Sequence, residues 1–329
     1  MLFSFRKSPL SMHPTLELLE RHDTELQLTP VHWFDLPEAT GLKKAADLAF
    51  NLNWSSANAA TLDETPWPCA PLNVLFYPKA KERLDWWLNL LFSELKSGQR
   101  LWVVGQNVGG IKSLPKRLEG VFNCVKVDSA RHCVLFEVTL VERFQGHEGW
   151  RSYPHGAHTI HSLPGVFSAK RLDKGTEVLL SVLPELKGDI LEFGGGAGVL
   201  TCMLAEQAKV TSVTALEIDL LAVRSSLKTL AANQLTDRAT TLWSAGTEAL
   251  AEQEFDFIVT NPPFHQGIKT AYGPTQAFFA QASNWLKPRG RLIWVANEFL
   301  NYQGELGKTF HSVKVLAHEK GYKVYQANK

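Results

Sequence analysis

Three short clusters hold residue types able to grip a nucleoside and act on a planar nitrogen. The first, Glu192-Phe193-Gly194-Gly195-Gly196-Ala197-Gly198, is an acid followed by a glycine-rich turn. Glycines there permit a tight turn and let bare backbone approach a ligand. The acid suits an ammonium group or loop amides better than a phosphate. Alone, such a loop also serves dinucleotide-binding folds. The second is Glu217, twenty-five residues after Glu192. A carboxylate at that spacing can accept hydrogen bonds from both ribose hydroxyls of an adenosine-type ligand, which fits S-adenosylmethionine and NAD equally. The third, Asn261-Pro262-Pro263-Phe264, decides between them. Its prolines lock a rigid turn that displays carbonyls. The Asn261 side-chain oxygen and the Pro262 carbonyl can accept the two hydrogens of a planar NH2 group, and Phe264 offers a face for stacking. Hydride transfer has no need of this turn, whereas methylation of a conjugated amine does.

These clusters need strands that end at them. Asp189–Phe193, Val210–Leu216 and Phe255–Val259 read as strands, alternating with helical patterns at Val199–Ala205 and about Leu220–Ala232. A further helix is expected around Gln276–Leu286, leading through Lys287-Pro288-Arg289-Gly290 into a strand at Arg291–Ala296. Strands separated by helix-length segments predict βαβ units and a doubly wound parallel sheet, an α/β domain. The first half repeats part of this grammar. Ser97-Gly98-Gln99-Arg100-Leu101-Trp102-Val103-Val104 parallels Arg289-Gly290-Arg291-Leu292-Ile293-Trp294-Val295, each after an apolar helix (Leu84–Leu95 in the first half), and Val125-Lys126-Val127 parallels Val313-Lys314-Val315. This predicts an internal duplication whose first copy lacks the glycine turn. The boundary is expected in the polar, turn-rich stretch 150–161, giving domains 1–155 and 156–329. His155, His158 and His161 fall in that stretch, but Pro154 and Gly156 leave no helix to align them, so a linker is expected and no metal site.

With these residues in place, the sequence resembles the class I methyltransferases that modify exocyclic or amide nitrogens. More narrowly, Leu163-Pro164-Gly165-Val166-Phe167-Ser168, Gly198-Val199-Leu200, Leu230-Ala231-Ala232-Asn233 and Asn261-Pro262-Pro263-Phe264-His265-Gln266-Gly267 resemble the bacterial ribosomal RNA small subunit methyltransferase C family. In the first half, Val103-Val104-Gly105-Gln106-Asn107 and Val125-Lys126-Val127-Asp128-Ser129-Ala130-Arg131 resemble it too. The resemblance implies two tandem class I methyltransferase-like (Rossmann-like) domains, of which only the second binds S-adenosylmethionine. It implies methylation of N2 of guanine 1207 in 16S rRNA, on the assembled small subunit. The cofactor would be held by Glu192, Gly194, Gly196, Gly198, Glu217 and Asn261, with catalysis at Asn261, Pro262, Pro263 and Phe264. Two departures stand out. Glu192 replaces the usual aspartate, and Trp243-Ser244-Ala245-Gly246 has no Asp or Asn for the adenine amino group, leaving Ser244 or a backbone group for that contact.

Composition limits the alternatives. In 329 residues, 45% are hydrophobic and 20% charged, which predicts an ordered chain. A net charge of +1 gives no global attraction to nucleic acid, so RNA contacts must come from local patches. Lys112, Lys116, Arg117, Lys126 and Arg131 form the densest basic stretch of the first half, and Lys170 and Arg171 a second. Four dispersed cysteines without C-x-x-C spacing predict reduced thiols. The N-terminus does not read as a secretory signal and no run spans a membrane, so a cytoplasmic monomer is expected. Two other readings remain: methylation of a protein glutamine amide, and a non-enzymatic RNA-binding assembly factor with a vestigial cofactor fold.

Overall fold

The apolar runs ending in the glycine turn and in Asn261 are short and nearly unbroken, as strands covered on both faces must be. In the computed structural model, which describes residues 12–37, 40–54, 70–96, 98–140, 146–246, 249–250, 252–262, 278–299 and 309–329, they lie side by side at the centre of a sheet. The chain divides into two compact units, residues 1–51 with 56–148, and residues 52–55 with 149–329.

The first unit contains α1 (Pro14–Glu20), α2 (Asp23–Leu28), β1 (Val31–Phe34), β2 (Leu48–Phe50), β3 (Leu72–Phe76), α3 (Lys81–Glu94), β4 (Arg100–Gln106), α4 (Leu114–Leu118), β5 (Phe122–Ala130) and β6 (Cys133–Leu140). Its sheet runs β2-β1-β3-β4-β6-β5. The first four strands are parallel, and β6 pairs antiparallel with both β4 and β5.

The second unit contains β7 (Arg151–His155), β8 (His158–Ser162), α5 (Lys174–Val182), β9 (Gly188–Phe193), α6 (Val199–Ala205), β10 (Val210–Glu217), α7 (Leu220–Ala232), β11 (Ala239–Trp243), β12 (Phe255–Thr260), β13 (Leu286–Asn297), β14 (Ser312–Glu319) and β15 (Tyr322–Asn328). Its sheet runs β11-β10-β9-β12-β13-β15-β14. Apart from the extra edge strand β11, order and polarity repeat those of the first sheet: parallel through β13, then antiparallel to β15 and β14. Even the final hairpins match, with a bulge between Lys126 and Asp128 in one and between Val315 and Ala317 in the other. The duplication is thus visible in topology as well as in sequence. Where the second copy has its glycine turn, the first has Asp35, which accepts a 2.8 Å bond from Trp87 Nε1, and Phe34 packing on Phe50 and Trp87.

Pleating sends successive residues of β9 to opposite cores. Ile190 packs with Val178 and Leu179 of α5, Leu204 of α6 and Leu230 of α7. Leu191 packs on the other face with Phe278, Phe279 and Trp285. Both faces are covered, so the strand ends are left to carry polar function.

Three expectations are corrected. The stretch 150–161 is a β-hairpin, not a linker. Its β7 and β8 pair from Arg151 opposite Ser162 to His155 opposite His158, with Gly156 at φ 58° in the turn. Ile160 is fully buried, and Asn233 of the loop after α7 holds both the N–H and the carbonyl of Thr159. A boundary at 155/156 would cut this hairpin, which lies whole in the second unit. The helix expected to reach Leu286 is, in its described part from residue 278, a single turn followed by a 3-10 turn at Ala282–Trp285. Leu286 already pairs with Phe255, and the next partners are Phe257 and Arg291, so Lys287-Pro288-Arg289-Gly290 bulges within β13. Lys287 is drawn there by Asp189 at 2.9 Å and Asp256 at 2.8 Å. Finally, residues 52–54 belong to the second unit: Leu52 O accepts from Leu220 N, and Trp54 N donates to Ile218 O, both at 2.8 Å.

Candidate active site

Glu192 sits near the end of the central strand β9, opposite Ala215 of β10 and Val259 of β12. Its carboxyl is 1% exposed, and Thr201 Oγ1 of α6 donates to it at 2.6 Å. Burial raises its pKa to about 8; the Thr201 hydroxyl opposes the shift and the charge of Glu217 adds to it.

The glycine turn follows at once. Gly194, at φ 82°, and Gly195 both donate to Leu216 O, at 2.8 and 3.3 Å. Gly196, at φ 53°, donates to Glu217 Oε2 at 2.9 Å. Gly198 caps α6 at φ 82°, and a Cβ there would lie 2.7 Å from Ser226 Oγ of α7. No side chain fits, so this glycine is set by packing as well as by conformation.

Glu217 ends β10. Its Oε1 accepts from Asp219 N and its Oε2 from Gly196 N, each at 2.9 Å. These two bonds orient the carboxylate and leave further acceptor capacity on both oxygens. Burial raises its pKa, against the pull of those N–H groups. Two inward acids within reach of each other's field make a site that favours a cationic ligand.

Asn261 follows β12 directly. Its Nδ2 donates to Asp173 Oδ2 at 3.0 Å and to Thr176 Oγ1 at 2.8 Å. Both amide hydrogens are therefore committed, and Oδ1 is the group left for the cleft that Asn261 lines. That cleft is shared by Phe167, Ser168, Thr176, Glu192, Gly194 and Gly195. Phe167 is 54% exposed beside the glycine turn, and a Cβ on Gly196 would lie 3.6 Å from its Cδ1. Pro262 is buried; Pro263 and Phe264 lie outside the described residues.

Asp173, Thr176 and Phe167 are site residues that sequence reasoning missed. Leu172-Asp173-Lys174-Gly175-Thr176 carries a helix N-cap signal, an aspartate before an apolar helical run, beside the basic residues that draw attention to the segment. Ser244 is engaged within its own turn. It is buried, its hydroxyl donates to Gly246 O at 2.8 Å and accepts from Gly246 N at 3.2 Å. That turn uses its only proton.

The Methyltransferase small domain family matches residues 157–326, and its N-terminal companion family matches residues 17–153. Ribosomal RNA small subunit methyltransferase C of Photorhabdus laumondii is 38% identical over 259 residues, covering 78% of this chain and 76% of that protein. The protein of the same name from Actinobacillus pleuropneumoniae is 40% identical over 263 residues, covering 78% and 79%. The chain belongs to the ribosomal RNA small subunit methyltransferase C family. A solved relative, the T. thermophilus 16S rRNA N2 G1207 methyltransferase in complex with AdoMet and guanosine, superposes with a TM-score of 0.80 at 29% identity, covering 97% of this chain and 92% of that one. Membership of this family makes the chain a methyltransferase with two tandem domains of related fold.

The basic residues singled out for RNA are all exposed. Lys112 lies in the 3-10 turn Ile111–Ser113, Lys116 and Arg117 on α4, Lys126 on β5 and Arg131 in the turn after it. Lys170 and Arg171 precede α5. Two of the arginines are already engaged: Arg117 Nε donates to Asp85 at 2.9 Å and Arg131 Nε lies 3.0 Å from Glu17.

Proposed function

We propose that this methyltransferase transfers the methyl group of S-adenosylmethionine to N2 of guanine 1207 in 16S rRNA. The observation that carries the reading is the Asn261 amide, whose hydrogens are spent on Asp173 and Thr176 so that an oxygen acceptor meets the substrate. The solved relative with AdoMet and guanosine, at 97% coverage, supports it.

The residues fit the cofactor. The glycine turn at 194–198 leaves backbone open, Glu217 retains acceptor capacity for two ribose hydroxyls, and the buried acid Glu192 suits a cationic amino-acid moiety. S-adenosylmethionine supplies a methyl group already activated by positive sulfur, so the protein's work is positioning. The guanine amine lone pair is delocalised into its ring. Asn261 Oδ1 and the Pro262 carbonyl accept its two hydrogens, turning the lone pair toward the methyl group and stabilising the positive charge that develops on nitrogen. The product loses its extra proton to solvent, so no strong base is required. The base must leave its stack to enter the cleft, and Phe264 is assigned the aromatic face that offsets part of that cost.

In this reading the substrate is the assembled small subunit, met in the cytoplasm by a monomer. Lys112, Lys116, Lys126, Lys170 and Arg171 supply phosphate contacts. The deciding experiment offers labelled donor to undermethylated small subunits, free 16S rRNA and protein extracts in parallel. Label in N2-methylguanine of the subunits is expected. Label only in protein would favour the glutamine-amide reading, and no transfer to any substrate would sink both.

A further inference from the structure

The two ends of an asparagine amide have nearly the same shape, and only their neighbours decide which end faces a substrate. At Asn261 those neighbours are unambiguous. Asp173 caps α5, a nine-residue helix, with its Oδ2 accepting from Gly175 N at 2.8 Å and Thr176 N at 3.2 Å. Backbone N–H groups can only donate, so this oxygen is an acceptor. The same oxygen receives Asn261 Nδ2 at 3.0 Å. The second hydrogen goes to Thr176 Oγ1, one turn into the helix and 4% exposed. Gly175 lets the turn close, because a Cβ there would lie 3.0 Å from the Tyr322 ring.

We propose that Asp173 and Thr176 are positioning residues that lock Asn261 with its oxygen toward the substrate, and so restrict the site to nucleophiles that carry N–H groups. The proposal rests on the guanine-amine reading above. With the amide reversed, Oδ1 would face the Asp173 carboxylate with no proton between them, and two hydrogen bonds would be lost. A reversed amide would also point its hydrogens at those of the substrate amine. The cap of α5 thus sets the polarity of the catalytic turn, joining two elements that lie 88 residues apart in sequence.

Three variants test this: Asp173→Ser, Asp173→Asn and Thr176→Val. Serine is a good N-cap but too short to reach Asn261, so the helix keeps its cap while the amide loses its anchor. Asparagine must turn its carbonyl toward Gly175 and Thr176 N–H, so it still offers Asn261 an acceptor. Thr176→Val keeps the shape and removes the hydroxyl. Single-turnover methylation of undermethylated small subunits is measured beside S-adenosylmethionine affinity, substrate KM and Tm. Asp173→Ser is expected to slow methyl transfer roughly ten- to a hundredfold, as loss of a hydrogen bond to a charged acceptor does, with cofactor affinity and substrate KM within about twofold. Thr176→Val is expected to slow it about tenfold or less, the share of a neutral bond. Asp173→Asn is expected to restore the rate to within about threefold of the natural chain. An unchanged rate in Asp173→Ser overturns the proposal, as does an equal loss in Asp173→Asn, which would make charge rather than orientation the cause. If the unsubstituted enzyme methylates no guanine N2, the functional reading fails first; if it does and Asp173→Ser matches it, only this proposal fails.

Discussion

Replacing Asn261 by aspartate puts two carboxylates where an amide and a carboxylate now meet, and this should make methyl transfer depend on pH in an unusual direction. The natural contact is 3.0 Å. At that separation two unit charges repel by about 1.4 kcal/mol at the dielectric of water and about 5.5 kcal/mol at an effective value near 20. That repulsion raises the pKa of the introduced carboxyl above the ordinary aspartate value. Below that pKa the introduced carboxyl, protonated, donates its O–H to Asp173 and turns its carbonyl to the cleft, as asparagine does. Above it no proton remains between the carboxylates, and the new side chain swings away from Asp173. Single-turnover methylation by Asn261→Asp is therefore expected to be fastest at low pH and to fall about tenfold per pH unit above the midpoint. Asn261→Ala should be slow and flat across the same range, with cofactor affinity nearly intact. An Asn261→Asp rate that is independent of pH, or that rises with pH, would refute the orientation argument.

Glu192, with its pKa raised to about 8, binds a proton in the folded chain that the unfolded chain releases near its ordinary value. Stability should therefore fall as pH rises through that window and level off above it. Glu192→Gln, which cannot ionise, should raise Tm at pH 8 by at least about 2 °C and change it little at pH 5; a difference that does not grow with pH would count against the buried acid. Glu217→Ala removes the proposed ribose acceptor together with the anchors of Gly196 and Asp219, and calorimetry should read a roughly ten- to hundredfold weaker S-adenosylmethionine affinity. Unchanged affinity would remove Glu217 from the cofactor site. Among the basic residues, Lys112→Ala, Lys116→Ala and Lys126→Ala should each lower the salt slope of subunit binding by about 0.7 to 0.9, whereas Arg117→Ala and Arg131→Ala should do less because those arginines already hold acids. Equal effects from all five would show that the ion pairs give way on binding.

What can be read from the sequence is whatever a strand end dictates locally. The glycine turn, Glu217 and Asn261 each terminate a buried run, and runs of that length and continuity allow little but central strands. Even the duplication is visible there, because Arg100–Val104 and Arg291–Val295 solve the same packing problem. What stays hidden depends on contacts distant in sequence. Asp173 and Thr176 reach Asn261 across 88 and 85 residues, and nothing in Lys170-Arg171-Leu172-Asp173-Lys174 announces that its acid faces inward. For the same reason an aspartate at position 261 is, by type alone, a serviceable acceptor at any pH; only the presence of Asp173 opposite it makes the proton matter. The hairpin at 151–162 is masked by Pro154 and Gly156, which mark a loop by type yet here sit in an edge strand and its turn. Ser244 matches a role by position, and nothing in its local sequence announces that its hydroxyl gives its proton to Gly246 O.

The placement of residues 52–54 bears on how the protein is made. Their partners, Ile218 and Leu220, flank the step from Glu217 into α7. A chain emerging from its N-terminus exposes Leu52 and Trp54 long before those partners exist, so the second unit cannot close its last backbone pairs until half of the chain has followed. A cut between residues 148 and 149 would part the polypeptide without yielding a complete second unit. It would leave the Ile218 carbonyl and the Leu220 amide beside Glu217 without these partners. Three residues of the second unit's backbone are in this sense written inside the stretch that encodes the first, and a genome that discarded that stretch would also unpick the edge of the turn it kept.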